Sequence, residues 1–242
     1  MKAELIDSMG TDLTVVNAAR CSFSAVSTEL SKKDIGLINF LARGCMKSDW
    51  DDALHEAAMF YDVTELEKIL KWAKNMPTHW SPFAHAMITM RETVPIFVAR
   101  QRFKHAVGFA YNEVSRRYVD DTPEFHVPES WRSRPVGGIK QGSAGTHLSN
   151  DYHRGNYAGF IEAAQSLYEN MIEDGVAPEQ ARMVLPQSML TTYWVTGSLY
   201  AWANAYIQRS DAHAQVEIQD MAQQWDKIIS PLFPHAWDAL TK

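Results

Sequence analysis

Ala86-Met87-Ile88-Thr89-Met90-Arg91-Glu92-Thr93-Val94-Pro95-Ile96-Phe97-Val98-Ala99-Arg100-Gln101-Arg102-Phe103-Lys104-His105 changes its hydrophobic period at Pro95. Before it, Ala86, Ile88, Met90 and Val94 alternate with polar residues, the two-residue period of a strand. Pro95 suits a first helical position, where no N–H is needed, and Phe97 to His105 reads as a helix. A strand feeding straight into a helix predicts mixed α and β structure. On that helix a four-residue spacing would put Arg100 beside Lys104 and Gln101 beside His105. These make one broad polar face, with Ile96, Phe97, Val98 and Phe103 covering the remainder.

Val107-Gly108 interrupts, and Asn112 to Tyr118 then brings a second polar set back towards the first. Arg100, Arg102, Lys104, Arg116 and Arg117 surround one acid, Glu113, with Gln101, His105, Asn112 and Ser115 interleaved. The chain as a whole carries a formal net charge of -6, so this is a local concentration of cations. Forked guanidiniums beside hydroxyls and amides suit phosphates and planar polar rings, because they deliver paired hydrogen bonds. A merely solvated helix face would not need the second set.

Outward from this stretch, Ala3 and Leu5 alternate with polar residues as a short strand ended by Met9-Gly10, and Thr11 or Asp12 can cap a helix. Ser31-Lys32-Lys33-Asp34 resembles a capping box before Ile35, Ile38 and Leu41, with Gly44 as the stop. Thr64-Glu65-Leu66-Glu67 is a second box, opening a helix through Ile69, Leu70 and Ala73. Towards the C-terminus, Phe160, Ala164, Leu167, Met171 and Ile172 form one stripe closed by Gly175, and Pro178 can begin another helix. Leu190 to Arg209 reads as helical from Tyr193, Trp194, Ala201 and Tyr206. Ala214, Ile218, Met221, Trp225 and Ile229 make a further stripe stopped by Pro231. Asp120 to Tyr157 is expected to be a long polar loop. The fold class predicted is α+β, a small β-sheet flanked by helices with a helix-rich C-terminal half, in a single domain over 1–242.

A chain of 242 residues with 46% hydrophobic content can bury a sizeable core. No apolar run is long enough to span a bilayer, and Met1-Lys2-Ala3-Glu4 does not open a signal peptide. Cys21 and Cys45 lack metal-ligand spacing and fit a reducing compartment as free thiols. The expectation is a soluble cytoplasmic protein without a metal site.

The basic stretch resembles the signature of the flavin-dependent thymidylate synthases, which work without a cysteine nucleophile. That signature is Arg-His-Arg, seven or eight residues, then Ser, within a longer Asn-Glu-x-Ser-x-Arg-Tyr pattern. Here it reads Lys104-His105-Ala106, eight residues, Ser115, with Asn112-Glu113-Val114-Ser115-Arg116-Arg117-Tyr118 intact. Lys104 and Ala106 each stand where the family has Arg. Met9 to Leu13 with Ala18 to Phe23, His79-Trp80-Ser81-Pro82-Phe83-Ala84-His85, Ala181 to Pro186 and Arg209 to Ile218 are also similar to family elements, in order along the chain. Relative to the family, residues 46–76 look like an insertion with its own helix.

The resemblance implies reductive methylation of dUMP to dTMP, with methylenetetrahydrofolate as carbon donor and FAD as a cofactor reduced by NADPH. It implies Arg209 as the catalytic donor at the pyrimidine edge, stabilising charge that develops in the ring. The implied dUMP set is Gln101, Lys104, Glu113, Ser115, Arg116, Arg117, Arg182 and Arg209. Ser115 is read as a phosphate-binding hydroxyl, and Glu113 as orienting the arginines. The implied FAD set is His79, Ser81, Lys104, His105, Glu113, Ser198 and Asn204, with Ser198 and Tyr200 standing where many members have Asn and Arg. A homotetramer with FAD at subunit interfaces is implied as well. A thymidylate synthase of the cysteine-dependent kind needs a Pro-Cys-His setting, which neither Arg20-Cys21-Ser22 nor Gly44-Cys45-Met46 provides. A same-fold enzyme acting on another pyrimidine nucleotide stays open. A nucleic-acid-binding module is disfavoured by the overall acidity. A metal hydrolase on Asp51, Asp52, His55 and Glu56 lacks the second His four residues on.

Overall fold

The computed structural model describes residues 1–45, 55, 59, 64, 79–137 and 142–242. The described chain runs β1 (Lys2–Met9), α1 (Asp12–Arg20), α2 (Lys32–Ala42), β2 (Met87–Pro95), α3 (Ile96–Arg102), β3 (Phe109–Glu113), α4 (Asn150–Glu173), α5 (Pro178–Ala181), β4 (Leu190–Ser198), α6 (Leu199–Ser210), α7 (Val216–Ile229) and α8 (Pro234–Thr241). The strands form one sheet in the order β1-β2-β4-β3. This is the α+β class that the period change at Pro95 predicts. The expected 46–76 insertion, the helix opened by the Thr64 box, and the Asp51, Asp52 and Glu56 constellation fall on residues outside those described.

β2 and β4 pair antiparallel. Thr89 lies across from Thr196 and Thr93 from Thr192, each hydroxyl pair 2.9 Å apart. Both strands bury alternate residues: Ile88, Met90, Glu92 and Val94 on one, Thr191, Tyr193 and Val195 on the other. Each strand runs into its helix with no loop between.

The single helix expected from Leu190 to Arg209 is instead a strand followed by a helix. Its first part, Thr191-Thr192-Tyr193-Trp194-Val195-Thr196, is β-branched and aromatic, and such side chains are stiff at χ1 and fit a pleated surface. Tyr193 is 1% exposed and its neighbour Trp194 52%, a two-residue period that a helical stripe would not give. A second difference is that α3 stops at Arg102. Phe103 closes the last full turn by donating to the Ala99 carbonyl, and Lys104 and His105 then donate only to Gln101 and Arg102, three residues back. Arg100 and Lys104 therefore do not share a helical face. Gly108, at φ 78, takes the left-handed turn that leads into β3.

α4 begins at Asn150, inside the expected loop, and buries only Ala164 and Tyr168. Phe160 and Leu167 of the expected stripe are about half exposed. The α7 stripe behaves as read: Ile218, Met221, Trp225 and Ile229 are buried. The Ser31 box closes as expected, with Ser31 Oγ accepting from the Asp34 amide and the Asp34 carboxylate accepting from Ser31 N–H. Hydrogen bonds from Ser31, then from Arg20, hold the Asp34 carboxyl well below its ordinary range.

The chain divides into two compact units. One comprises 1–4, 90–195 and 208–225, with Val94, Val98, Tyr168, Tyr193, Ile218 and Trp225 in its core. The other comprises 5–89, 196–207 and 226–242, built on Val15, Ile38, Phe83, Trp202, Phe233 and Trp237. In the second, buried Asp12 accepts hydrogen bonds at 2.9 Å from the amides of His235 and Ala236, and so caps α8 from a distance in sequence. No helix among the described residues is long and apolar enough to cross a membrane.

Candidate active site

Five residues of the expected dUMP set line one cavity of about 730 Å³ in the first unit: Glu113, Ser115, Arg116, Arg117 and Arg182. β3 ends at Glu113, and the turn after it carries Ser115 to Arg117 along the rim. Val114 N–H donates to the Thr192 carbonyl at 2.9 Å, which fixes that turn against β4. Arg116 pairs with the Asp121 carboxylate at 2.9 Å and lies over the Tyr168 ring. The Ser115 hydroxyl accepts from Arg117 Nε at 3.3 Å. Arg182 reaches the cavity from the turn after α5, its Nε donating to the Glu179 carbonyl at 3.2 Å. A cavity rimmed by guanidiniums and hydroxyls can take a phosphate.

Glu113 departs from expectation. Its carboxylate accepts from the Thr191 hydroxyl at 2.6 Å, and no arginine among the described residues pairs with it. Thr191 belongs to β4, the strand next to β3 in the sheet, and it is this hydroxyl that meets the carboxylate.

Gln101, His105 and Arg209 form a second group in the same unit. Arg209, near the end of α6, donates from Nε to His105 Nε2 at 2.8 Å and from Nη2 to the Gln101 carbonyl at 3.1 Å. Gln101 Nε2 in turn donates to Gln215 at 2.6 Å. A guanidinium N–H can only donate, so His105 Nε2 accepts and the ring's proton sits on Nδ1. Burial, then Arg209 and Arg102, push His105 down to about 4, so the imidazole is neutral at physiological pH. Burial likewise lowers Arg209, with Arg102 adding to it. The negative end of α3 favours the cation at the Gln101 carbonyl. Lys104 is exposed beyond the helix end.

The remaining flavin-set residues lie in the second unit. His79 and Ser81 are exposed, Ser81 opening the turn Ser81–His85. Asn204 is half-buried on α6. The rings of Trp80 and Tyr200 are 5.8 Å apart. Ser198 is buried, and its hydroxyl accepts from the Ala201 amide at 3.2 Å. Aromatic, imidazole, hydroxyl and amide groups are of a chemistry that fits a flat flavin ring.

The sequence reading passed over Arg91, Thr93, Thr192 and Glu124, which also line the cavity. The signal was available for two of them. Arg91 and Thr93 are the polar positions of the β2 alternation and so share the face opposite Met90 and Val94. It also passed over Glu92, an acid at a core-facing position of that alternation, and counted Arg102 with the cations around Glu113. Both are buried, with Arg102 Nε 3.4 Å from Glu92 Oε2.

A family model described as thymidylate synthase complementing protein matches residues 4–235. The chain is 30% identical to the flavin-dependent thymidylate synthase of Thermotoga neapolitana, over 99% of this chain and 90% of that protein. It is also 30% identical to the flavin-dependent thymidylate synthase of Thermus thermophilus, over 97% of this chain and 73% of that protein. Among solved structures it is similar to a UMP/dUMP methylase, PolB, from Streptomyces cacaoi bound with 5-Br dUMP. That likeness has a TM-score of 0.74 at 26% identity and covers 99% of this chain and 94% of that one. With a family model matching nearly its whole length, the chain belongs to the thymidylate synthase complementing protein family.

Proposed function

We propose that this chain is a flavin-dependent thymidylate synthase that converts dUMP to dTMP. The observation that carries the reading is the cavity where Arg116, Arg117, Arg182 and Ser115 converge, a cradle suited to a nucleotide monophosphate. The family and the named relatives support methylation at uracil C5. FAD, reduced by NADPH, supplies the electrons that turn the one-carbon unit of methylenetetrahydrofolate into a methyl group.

The chain's own residues supply position and charge. Arg117, Arg182 and the Ser115 hydroxyl hold the phosphate, with Arg116 beside them. Uracil C5 is a poor nucleophile until negative charge is accommodated at the N3/O2 edge. Arg209, with its planar fork, is the group assigned to that edge. Neutral His105 holds Arg209 Nε without competing for its charge. Gln101 stands beside them as a ring-edge amide. Lys104, His105 and Glu113 have the polar functions to meet the flavin as well, and His79, Ser81, Ser198 and Asn204 complete that set. The active form is a homotetramer with FAD at subunit interfaces.

A second reading, methylation of a different pyrimidine nucleotide, is favoured by the likeness to a UMP/dUMP methylase. Release of tritium from C5-labelled dUMP and, in parallel, from C5-labelled UMP tests both. Release from dUMP that depends on FAD and methylenetetrahydrofolate supports the first. Release from UMP alone supports the second, and release from neither sinks both.

A further inference from the structure

Beneath Gln101 and His105 lies a buried ionic network in the first unit. Glu92 is 0% exposed and Arg102 1%. Arg102 Nε stands 3.4 Å from Glu92 Oε2, and Tyr193 donates its hydroxyl to that same oxygen. The guanidinium carbon of Arg102 lies 4.3 Å from the ring centre of Phe109, 4.8 Å from that of Trp225 and 5.3 Å from that of Tyr111. Arg102 Nη1 donates to the Tyr111 hydroxyl at 2.5 Å. That hydroxyl lies 2.8 Å from the His105 carbonyl and 3.2 Å from the Arg102 carbonyl, and donates to them.

The direction of these bonds matters. An arginine cannot accept, so Tyr111 must accept from Arg102 and turn its own proton outward. The carbonyls it meets belong to the turn where α3 stops, and that of Arg102 also accepts from the His105 amide. Gln101 and His105 hang from that same turn, and they are the groups that Arg209 grips. Burying two charges is costly, and an apolar pair of similar volume is often as stable. The pair's distinctive contribution is therefore a fixed hydroxyl direction at the end of α3.

We propose that the buried Glu92–Arg102 pair, acting through Tyr111, is a positioning device that sets His105 and Arg209 for the reaction. The inference rests on the functional reading above only for what the positioning serves. Neither Glu92, Arg102 nor Tyr111 is assigned a contact with substrate.

Two variants of the full chain test it: Tyr111→Phe, which keeps the ring but removes the hydroxyl, and Glu92→Leu/Arg102→Met, which removes both buried charges together. Three quantities are read: kcat and KM for dUMP in the FAD-loaded enzyme, the thermal unfolding midpoint, and titration of the His105 ring by NMR. Positioning predicts that kcat falls about tenfold or more at saturating dUMP in both variants, since misplacement of reacting groups is costly. It predicts KM within about twofold and, in the double variant, an unfolding midpoint close to wild type. It also predicts that His105 takes up its proton at a higher pH in the double variant, where Arg102 no longer opposes it. A wild-type kcat with an unchanged His105 titration in the double variant would overturn the proposal, as would lost stability with unchanged kcat per folded site in Tyr111→Phe. If the wild-type enzyme makes no dTMP, the functional reading fails, while the His105 titration still decides whether the network sets that ring.

Discussion

Arg209 Nε lies 2.8 Å from His105 Nε2, joining residues 104 apart in sequence. The bond forces one tautomer on the histidine and leaves part of the arginine fork for a ligand. It unites the end of α6 with the turn after α3, so the roles of the two residues cannot be separated by mutating either alone.

Arg209→Ala should reduce dTMP formation by about 10²–10³, the usual effect of removing a preorganised charge-stabilising donor. Arg209→Lys should also be poor, because an ammonium cannot hold His105, the Gln101 carbonyl and a ring edge at once. Single-turnover assays at saturating dUMP, with FAD occupancy checked by absorbance, measure this. Near-native turnover in Arg209→Ala would remove the assignment.

The pH dependence of stability carries the mark of His105. Its folded pKa of about 4 lies below the ordinary 6.5. Between those values the unfolded chain binds a proton that the folded chain does not. The contribution is thus fully present above about 6.5 and is lost as pH falls towards about 4. Urea midpoints measured across that window should drop with falling pH, and the drop should be shallower in His105→Gln. An identical pH profile in the variant would contradict this.

Cys21 is exposed and Cys45 half-buried. Changing both to Ser should leave substantial dTMP formation. Complete loss in a folded, FAD-loaded double variant would point to a cysteine nucleophile and against the flavin route.

Ala106 is exposed where family members carry Arg. A charge-assisted hydrogen bond is worth roughly 1.5–3 kcal/mol, so its absence should weaken FAD binding by about tenfold or more. Wild-type protein should lose FAD on dilution and regain activity when FAD is added, and Ala106→Arg should tighten it. Titration of apoprotein with FAD measures the difference. Tight wild-type binding that the arginine weakens would show a site rebuilt around a small residue.

Asp12 offers a test of the fold apart from function. Its carboxylate serves two amides at the start of α8, so Asp12→Ala should cost about 1–3 kcal/mol. Calorimetry should show the unfolding midpoint falling by several degrees, at about 2–4 °C per kcal/mol for a chain of this size. An unchanged midpoint would mean that water serves those amides equally well.

Part of the fold is legible in the sequence itself. Alternation in Ala86 to Val94 marked β2, and the Ser31 box marked α2, because both signals are local. The motif names Ser115, Arg116 and Arg117, which share one cavity with Arg182. What failed was long-range. Leu190 to Ser198 carries aromatic spacing compatible with a helix, and its β-branched content together with its pairing to β2 makes it a strand. Glu113 sits among arginines in sequence but beside Thr191 in space. Arg102 reads in sequence as one more cation around Glu113, while in space it pairs with Glu92. Glu92, an acid on an apolar register, was the sign that a cation had to be buried near it.

The seamless passage from strand to helix at Pro95–Ile96 and again at Ser198–Leu199 has a consequence for how this chain can change. One residue added between Ser198 and Leu199 would swing Arg209 by about 100° around α6 and move it about 1.5 Å along the axis. His105 would then face a different side chain. No turn separates strand from helix to absorb the slip. Residues 87–102 and 190–210 are therefore frozen in length, and insertions and deletions can accumulate only in segments that carry no phase from a strand into a helix.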